Sequence, residues 1–475
     1  MRLKAKGFGP LKDLNIEVRP LTVLIGKNNL GKSYAAQLLY VMLCVLNDLQ
    51  SIRFPFFYYD ERLISRRFDL HESEIIDLTK KIKSENLSDS DIVERLAELI
   101  LKTEAKNLQT YLKVWLERVF GVPIHKLVNI NSSKAKLECE LFRDVNLRSE
   151  ISRRGLLEVK LTTRKNIFQK YADELSPFLQ KIRQKHKKKT YVEELSHELQ
   201  SKLMMPSQEI EVHGYDLEKR RPKPLAYYIP AGRAGLIESY DTVVEALFFQ
   251  AAGTPTSGLS ISPLPGMANQ FYSVLRSLSG EKSRLGKKMT TAFRDLLGGD
   301  VRLKGVRFRR TQRATRMRMI YHFHLGENMS SIDLIHAASM IKELAPIYLI
   351  VQELVNPRQY LIVEEPESHL HPGAQSTLTK VFVKLTNLKV NVLLTTHSPV
   401  LLRKLSHFIR RKGNEPNDYI DPRRAAIYWI KEGKSGSTSQ VLKISKCGTL
   451  EEIPTYDEVV NELYEEEVSL HNQEL

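Results

Sequence analysis

One octapeptide, Gly26-Lys27-Asn28-Asn29-Leu30-Gly31-Lys32-Ser33, constrains this chain more than any other stretch, because its GxxxxGK[ST] spacing suits a backbone wrapped round a phosphate chain. Glycines let the backbone approach the anion closely, and successive N–H groups turn inward toward it. The flanks agree: 21–25 is a continuous apolar run suited to a central strand, and 34–49 is strongly apolar at helical spacing. In that order, strand, loop and helix aim the helix N-terminus at the same negative charge. The expectation is that Gly26, Lys27, Asn28, Asn29, Leu30, Gly31, Lys32, Ser33 and Tyr34 line a nucleotide site. Lys32 would reach the β- and γ-phosphates and the Ser33 hydroxyl would ligate Mg2+.

Two later strand ends supply what such a loop needs beside it. Leu361-Ile362-Val363-Glu364-Glu365-Pro366 is an apolar strand ending in paired carboxylates. One carboxylate suits Mg2+, and the next can orient or deprotonate the attacking water. A solvated acidic turn is the plainer reading of these residues, and the upstream loop weighs against it. Thr395-Thr396-His397-Ser398-Pro399 closes the apolar segment 390–395, where a histidine can hydrogen-bond a γ-phosphate and sense its loss. Alone, a histidine there is more often structural; its place at the next strand end favours a role.

The order of phosphate loop, long insertion, LIVEEPESHLHP and TTHSP resembles the ABC/SMC-type ATPases, and more narrowly the OLD-like ATPases. The segment Tyr228-Ile229-Pro230-Ala231-Gly232-Arg233 is similar to an "IPAxR" stretch of that group. The resemblance covers roughly 1–50 and 225–400. It implies an α/β split ATPase head, a mixed sheet flanked by helices with a large, mainly helical insertion, that binds ATP and Mg2+ and closes as a dimer on two nucleotides. It implies Glu364 as the Mg2+ ligand, Glu365 as catalytic base, 368–371 as a dimer-facing loop and His397 as the switch histidine. The signature segment that contacts the partner's γ-phosphate is degenerate here. Its best candidate is His336-Ala337-Ala338-Ser339-Met340, with Ser339 supplying the hydroxyl and Met340 where a glycine is usual. OLD-family nucleases add a C-terminal TOPRIM domain, and about 75 residues follow His397, too few for one. Nuclease activity would then come from a separate effector protein.

Along the chain, the expected division is 1–50 for the first part of the head, 51–222 for the insertion, 223–445 for the rest of the head and 446–475 for an acidic tail. Within the insertion, Leu108, Leu112, Trp115 and Val119 mark one face of an amphipathic helix, helical signal recurs over about 167–204, and 136–162 suits a small hairpin. Further on, the pattern predicts a helix over about 268–297, strands near 301–308 and 318–325, and a helix over about 331–354.

Charge is uneven. Residues 448–475 hold nine acidic side chains and no Lys or Arg, which leaves 72 basic against 47 acidic residues in the rest, a formal +25. The tail also carries Val459, Val460, Leu463 and Tyr464 at helical spacing. The densest basic run, Arg302, Lys304, Arg307, Arg309, Arg310, Arg313, Arg316 and Arg318, suits sequence-tolerant contact with a nucleic-acid backbone. A Lys-rich stretch, 181–189, is a weaker candidate, and a solvated face is the alternative for both. His369 and His371 invite a zinc reading, but no HExxH or Cys partner accompanies them. Cys44, Cys139 and Cys447 are too scattered for a metal or redox motif and suit small buried hydrophobes. No run of 18 apolar residues occurs and no apolar core follows Met1-Arg2-Leu3-Lys4, so no membrane partner and a cytoplasmic location are expected.

The function these features suggest is an ATPase that forms an ATP-dependent homodimer or higher oligomer. Turnover would serve a nucleic-acid task in DNA repair, maintenance or antiviral defence. The alternative is a nucleotide-gated sensor or scaffold that holds a partner effector such as a nuclease or toxin and hydrolyses little.

Overall fold

The first three strands differ in how they are buried, and that difference sets their places. β1 (Arg2–Phe8) and β2 (Leu11–Glu17) alternate buried and exposed positions, whereas β3 (Leu21–Ile25) is buried at all five. Alternation suits a sheet with one wet face; continuous burial suits a strand covered on both faces. The computed structural model describes residues 1–53, 87–140, 145–163, 167–184, 188–203, 215–216, 221–222, 224–251, 266–307, 315–325, 327–409, 419–445, 450 and 453–473. Its contacts divide the chain into two units, one of Met1–Asn15, Val41–Glu117 and Pro123–Leu225, the other of Ile16–Tyr40, Arg118–Val122 and Ala226–Leu475. This division groups β1 with the middle of the chain and the phosphate loop with the C-terminal half.

In the first unit, β4 (Lys134–Cys139), β5 (Val145–Ser152) and β6 (Leu157–Thr163) form an antiparallel meander, and β4 also pairs antiparallel with β1. The order is β6-β5-β4-β1-β2. The expected small hairpin over 136–162 is therefore three strands added to a sheet edge. A two-residue burial repeat looks the same in a hairpin and in such an extension, because the β1 partner lies over a hundred residues away. The helix Asp89–Phe120 opens on a capping box in which Ser88 and Asp91 each accept the other's backbone N–H at 3.1 Å. It buries Ile92, Leu96, Ile100, Leu108, Leu112, Leu116 and Val119. Helices Ile167–Glu174, Ser176–Gln184 and Lys188–Leu203 follow, then β7 (Tyr215–Asp216) and β8 (Arg221–Pro222).

The second unit is built on parallel strands. β9 (Ala226–Ile229) leads into the helix Arg233–Ala251. β10 (Gly299–Arg307), β11 (Thr315–Leu325) and β12 (Asn328–Asp333) make a small antiparallel sheet. β13 (Tyr360–Glu364), β14 (Asn391–Thr396) and β15 (Ala425–Lys431) then join β3 and β9 in parallel, and β16 (Ser437–Val441) adds antiparallel to β15, in the order β16-β15-β3-β14-β13-β9. Register places Glu364 beside Thr395, and Thr396 beside Ile25. The carboxyl ends of β3, β13 and β14 thus meet at one edge, where ligands of open parallel sheets bind.

The helix Pro372–Asn387 packs on β14, and the helix Arg284–Leu297 packs on both Pro372–Asn387 and Ser339–Glu353. Arg284–Leu297 and Ser339–Glu353 touch at Gly286, where an added Cβ would fall 1.9 Å from the Gln352 carbonyl oxygen. Two helix expectations need correction. The stretch 268–297 is two helices, Met267–Arg276 and Arg284–Leu297, broken at Gly280 (φ 87°) and restarted by Ser283, whose hydroxyl accepts the Gly286 N–H. The helix expected from 331 starts at Ser339, because 328–333 is the mostly exposed edge strand β12. Among the described residues no helix is long and apolar enough to cross a membrane. Cys44 and Cys139 are buried, and burial pushes the Cys139 thiol up to about 12; Cys447 lies outside the described residues.

Candidate functional site

Every residue expected to touch nucleotide lies in the second unit. The loop after β3 turns on Gly26 (φ 148°), Asn29 (φ 62°) and Gly31 (φ 93°), and a Cβ on Gly26 would meet the Ile430 carbonyl oxygen at 2.3 Å. Close backbone approach and left-handed φ explain why glycine stands there. Lys27, Asn28 and Asn29 are exposed, Leu30 and Ser33 half-buried, and the Tyr34 ring packs tilted against Phe120, with centroids 5.1 Å apart. Lys32 folds back under the loop, its Nζ donating to the carbonyls of Gly26 (3.1 Å) and Lys27 (2.9 Å). Burial lowers its pKa to about 8, opposed by the charges of Glu365, Glu367 and Glu364. Those opposing carboxylates place the end of β13 within electrostatic reach of Lys32, as the motifs require.

Glu364, the last residue of β13, is buried with both oxygens held. Oε1 accepts the Tyr228 hydroxyl at 2.5 Å and Oε2 the Ala231 N–H at 3.1 Å. Burial, and then the Glu364 charge, push the Tyr228 phenol well up, so it stays a donor. Glu365 turns out of the strand at φ 40°, a left-handed conformation unusual for a residue with a side chain. Its N–H donates to the Thr395 carbonyl at 2.9 Å, and its half-exposed carboxylate lies 3.7 Å from His397 Nε2. Burial lowers the His397 pKa to about 4, with the Lys32 charge adding to the effect, so the imidazole is neutral at physiological pH.

Three groups in this site were not assigned roles from sequence. Glu367 Oε1 gathers the Thr396 hydroxyl (2.7 Å) and the N–H groups of His397 (2.7 Å) and Ser398 (3.2 Å), which fixes the turn carrying the histidine. Its Oε2 is buried with no donor among the described residues, and burial raises its pKa. Arg233, fully buried, donates to the carbonyls of Pro230 (2.9 Å), Glu364 (2.5 Å) and Glu365 (3.0 Å). It also pairs with the buried Glu343 carboxylate at 2.8 Å. A charged residue in the apolar helix Ser339–Glu353 was the available signal for Glu343. What it pairs with is over a hundred positions away.

The donor set fits Mg2+ and a polyphosphate. Glu364 and the Ser33 hydroxyl are hard oxygen ligands, and a carboxylate keeps further lone pairs after two hydrogen bonds. His371 caps the helix Pro372–Asn387, its Nδ1 accepting the Gly373 N–H at 3.2 Å. Ser339 is exposed at the first position of its helix.

The basic run is only partly visible. Arg302 and Lys304 are exposed on β10, but Arg302 pairs with Asp300 at 3.2 Å, and Arg318, opposite Lys304, lies 3.5 Å from Asp333. Arg307 ends β10, out of phase with Arg302 and Lys304 in the two-residue repeat; Arg309, Arg310 and Arg313 lie outside the described residues. Side chains of 181–189 lie outside them too. The tail forms the helix Pro454–Gln473, tethered by Arg403, which pairs with Asp457 at 3.6 Å and covers the Tyr456 ring.

The family described as AAA ATPase domain matches residues 1–219, and that described as AAA domain, putative AbiEii toxin, Type IV TA system, matches residues 341–403. No curated protein matches the chain. Solved structures similar to it include an SMC head bound to the C-winged helix domain of ScpA, at 12% identity and TM-score 0.40, covering 94% of this chain and 98% of that one. The SMC head of Thermotoga maritima has 10% identity and TM-score 0.38, covering 93% and 98%. An SMC head with an extended coiled coil, bound to the C-terminal domain of ScpA derived from Pyrococcus furiosus, has 11% identity and TM-score 0.40, covering 98% of each. One family match spans the phosphate loop and the other the paired carboxylates and His397, and the parallel sheet brings the two stretches together at the carboxyl ends of its strands: over both stretches the chain is similar to AAA ATPase domains.

Proposed function

We propose that the protein is an OLD-like ATPase that binds ATP with Mg2+, closes as a homodimer on two nucleotides, and couples hydrolysis to a nucleic-acid task in repair, maintenance or antiviral defence. The observation that carries the hydrolytic part is Glu365: a half-exposed carboxylate on a left-handed turn, beside a neutral histidine and within the field of the loop lysine. Lys32 exchanges the Gly26 and Lys27 carbonyls for the β- and γ-phosphates. Glu365 orients the attacking water and takes its proton, and neutral His397 hydrogen-bonds the γ-phosphate without a charge of its own. Mg2+, held by Ser33 and Glu364, would supply charge neutralisation between the phosphates. In this reading the head combines 1–50 with 223–445 around the insertion 51–222, and the exposed Ser339 meets the partner's nucleotide.

Arg302, Lys304, Arg307, Arg309, Arg310 and Arg313 would track a duplex backbone. The test is ATP turnover with and without duplex DNA at two salt concentrations, alongside the mass of the Glu365→Gln protein with ATP. Turnover that duplex stimulates at low salt, and a doubled mass with ATP, support the proposal; unstimulated turnover of a monomer contradicts it.

A second reading, a nucleotide-gated scaffold for an effector, draws support from the helix Pro454–Gln473, which exposes Val460, Leu463, Tyr464 and Val468. ATP held by the wild type but hydrolysed no faster than by Glu365→Gln would favour it.

A further inference from the structure

The base Glu365 stands on a turn that its own backbone disfavours, so something must hold it. A left-handed φ in a residue with a side chain is disfavoured and persists only when the surroundings over-determine it. The N–H side is held by Thr395. On the carbonyl side the Ser368 N–H donates to the Glu365 carbonyl at 3.1 Å, and the Arg233 guanidinium bridges the Glu364 and Glu365 carbonyls to the Pro230 carbonyl that precedes its own helix.

A buried guanidinium needs a counter-charge, and Glu343 supplies it while also accepting the Ala234 N–H at 3.0 Å and presenting its own carbonyl to Arg233 Nε at 3.2 Å. Three segments therefore meet on one cation: the end of β9, the helix Ser339–Glu353, and the turn bearing the metal-binding and basic carboxylates.

We propose that Arg233 is a positioning residue for hydrolysis, with Glu343 as its counter-ion: together they set where the Glu365 carboxylate stands without touching nucleotide. The inference rests on Glu365 being the base. Planarity matters, because a lysine ammonium cannot bridge the same carbonyls in a fixed fork. Substitution should misplace the base and leave the phosphate loop intact.

The experiment measures ATP affinity and single-turnover hydrolysis for wild type, Glu365→Gln, Arg233→Lys, Glu343→Gln and the double variant Arg233→Lys/Glu365→Gln, with thermal unfolding as a folding control. Arg233→Lys should bind ATP within about threefold of wild type yet hydrolyse about 100-fold more slowly, the loss typical of a misplaced reacting group. Glu343→Gln should fall in the same direction by a smaller factor, and it carries the test if Arg233→Lys does not fold. The double variant should be no slower than Glu365→Gln alone, because Arg233 acts through that residue.

Loss of binding in step with rate, or a double variant slowed by the product of the two factors, would overturn the positioning role. Wild-type hydrolysis by Glu365→Gln would instead overturn the assignment of the base, and the two failures are separate readouts.

Discussion

Replacing Tyr228 by phenylalanine removes one oxygen atom and tests how the Mg2+ carboxylate is supported. The hydroxyl is buried and donates at 2.5 Å to Glu364 Oε1, while the ring packs 5.4 Å from Tyr40. Phenylalanine keeps the ring and its packing, so the change removes only the hydroxyl, whose partners are Glu364 and the Gln37 side chain. A hydrogen bond to a charged group contributes about 1.5–3 kcal/mol to stability, roughly twice the neutral case. The Ala231 N–H still serves Oε2, so the carboxylate is not stranded, and the expected loss is about 2 kcal/mol.

The neighbouring Tyr227 provides the comparison. It is also buried on β9, but its hydroxyl donates to a neutral acceptor, the Leu354 carbonyl, at a long 3.4 Å. Tyr227→Phe should cost about 0.5–1 kcal/mol by the same reasoning. Urea unfolding of the nucleotide-free protein, followed by fluorescence, gives the two differences under one protocol. Equal losses at 227 and 228 would refute the claim that Glu364 is a charged, donor-dependent carboxylate in the folded state.

Three further outcomes follow from other parts of the structure. Lys32 has a pKa of about 8 in the free protein and must be charged to meet phosphate, so ATP affinity should be level below that pH and fall about tenfold per unit above it. A flat affinity up to pH 9.5, measured with a fluorescent nucleotide, would contradict the burial of that amine. Gly286→Ala should lower the unfolding midpoint, with a loss of at least about 1–3 kcal/mol from overpacking, because the new methyl would sit 1.9 Å from the Gln352 oxygen; an unchanged midpoint would deny the helix contact. Lys304→Ala should reduce the slope of log affinity against log salt for duplex DNA by about 0.9, and Arg302→Ala by less, since Asp300 already engages that guanidinium. Equal slopes for Lys304→Ala and wild type would leave β10 outside the interface.

The parts of the site legible in the sequence are those whose chemistry is local. The phosphate loop is eight consecutive residues between a strand and a helix, and Glu364, Glu365 and His397 sit where apolar strands stop. The bracing was not legible because it is made across the fold. Arg233 and Glu343 are 110 positions apart, and Glu367 acts on backbone N–H groups 30 positions later. In the fold, 134–163 carries one alternation whether it makes two strands or joins a larger sheet, and β12 is an edge strand with mostly exposed residues, so its burial gives no period to find. The break near Gly280 is masked by Leu278, which keeps an apolar residue in phase through a turn.

The central claim is that Glu365 activates water at this edge of the sheet. Steady-state and single-turnover hydrolysis by Glu365→Gln, measured beside ATP affinity, tests it most directly. The substitution leaves shape and the Arg233 contact to the backbone carbonyl in place and removes only the charge that takes the proton. Binding unchanged and hydrolysis slowed by about 10²–10⁴-fold is the expected result; hydrolysis at the wild-type rate would contradict the account.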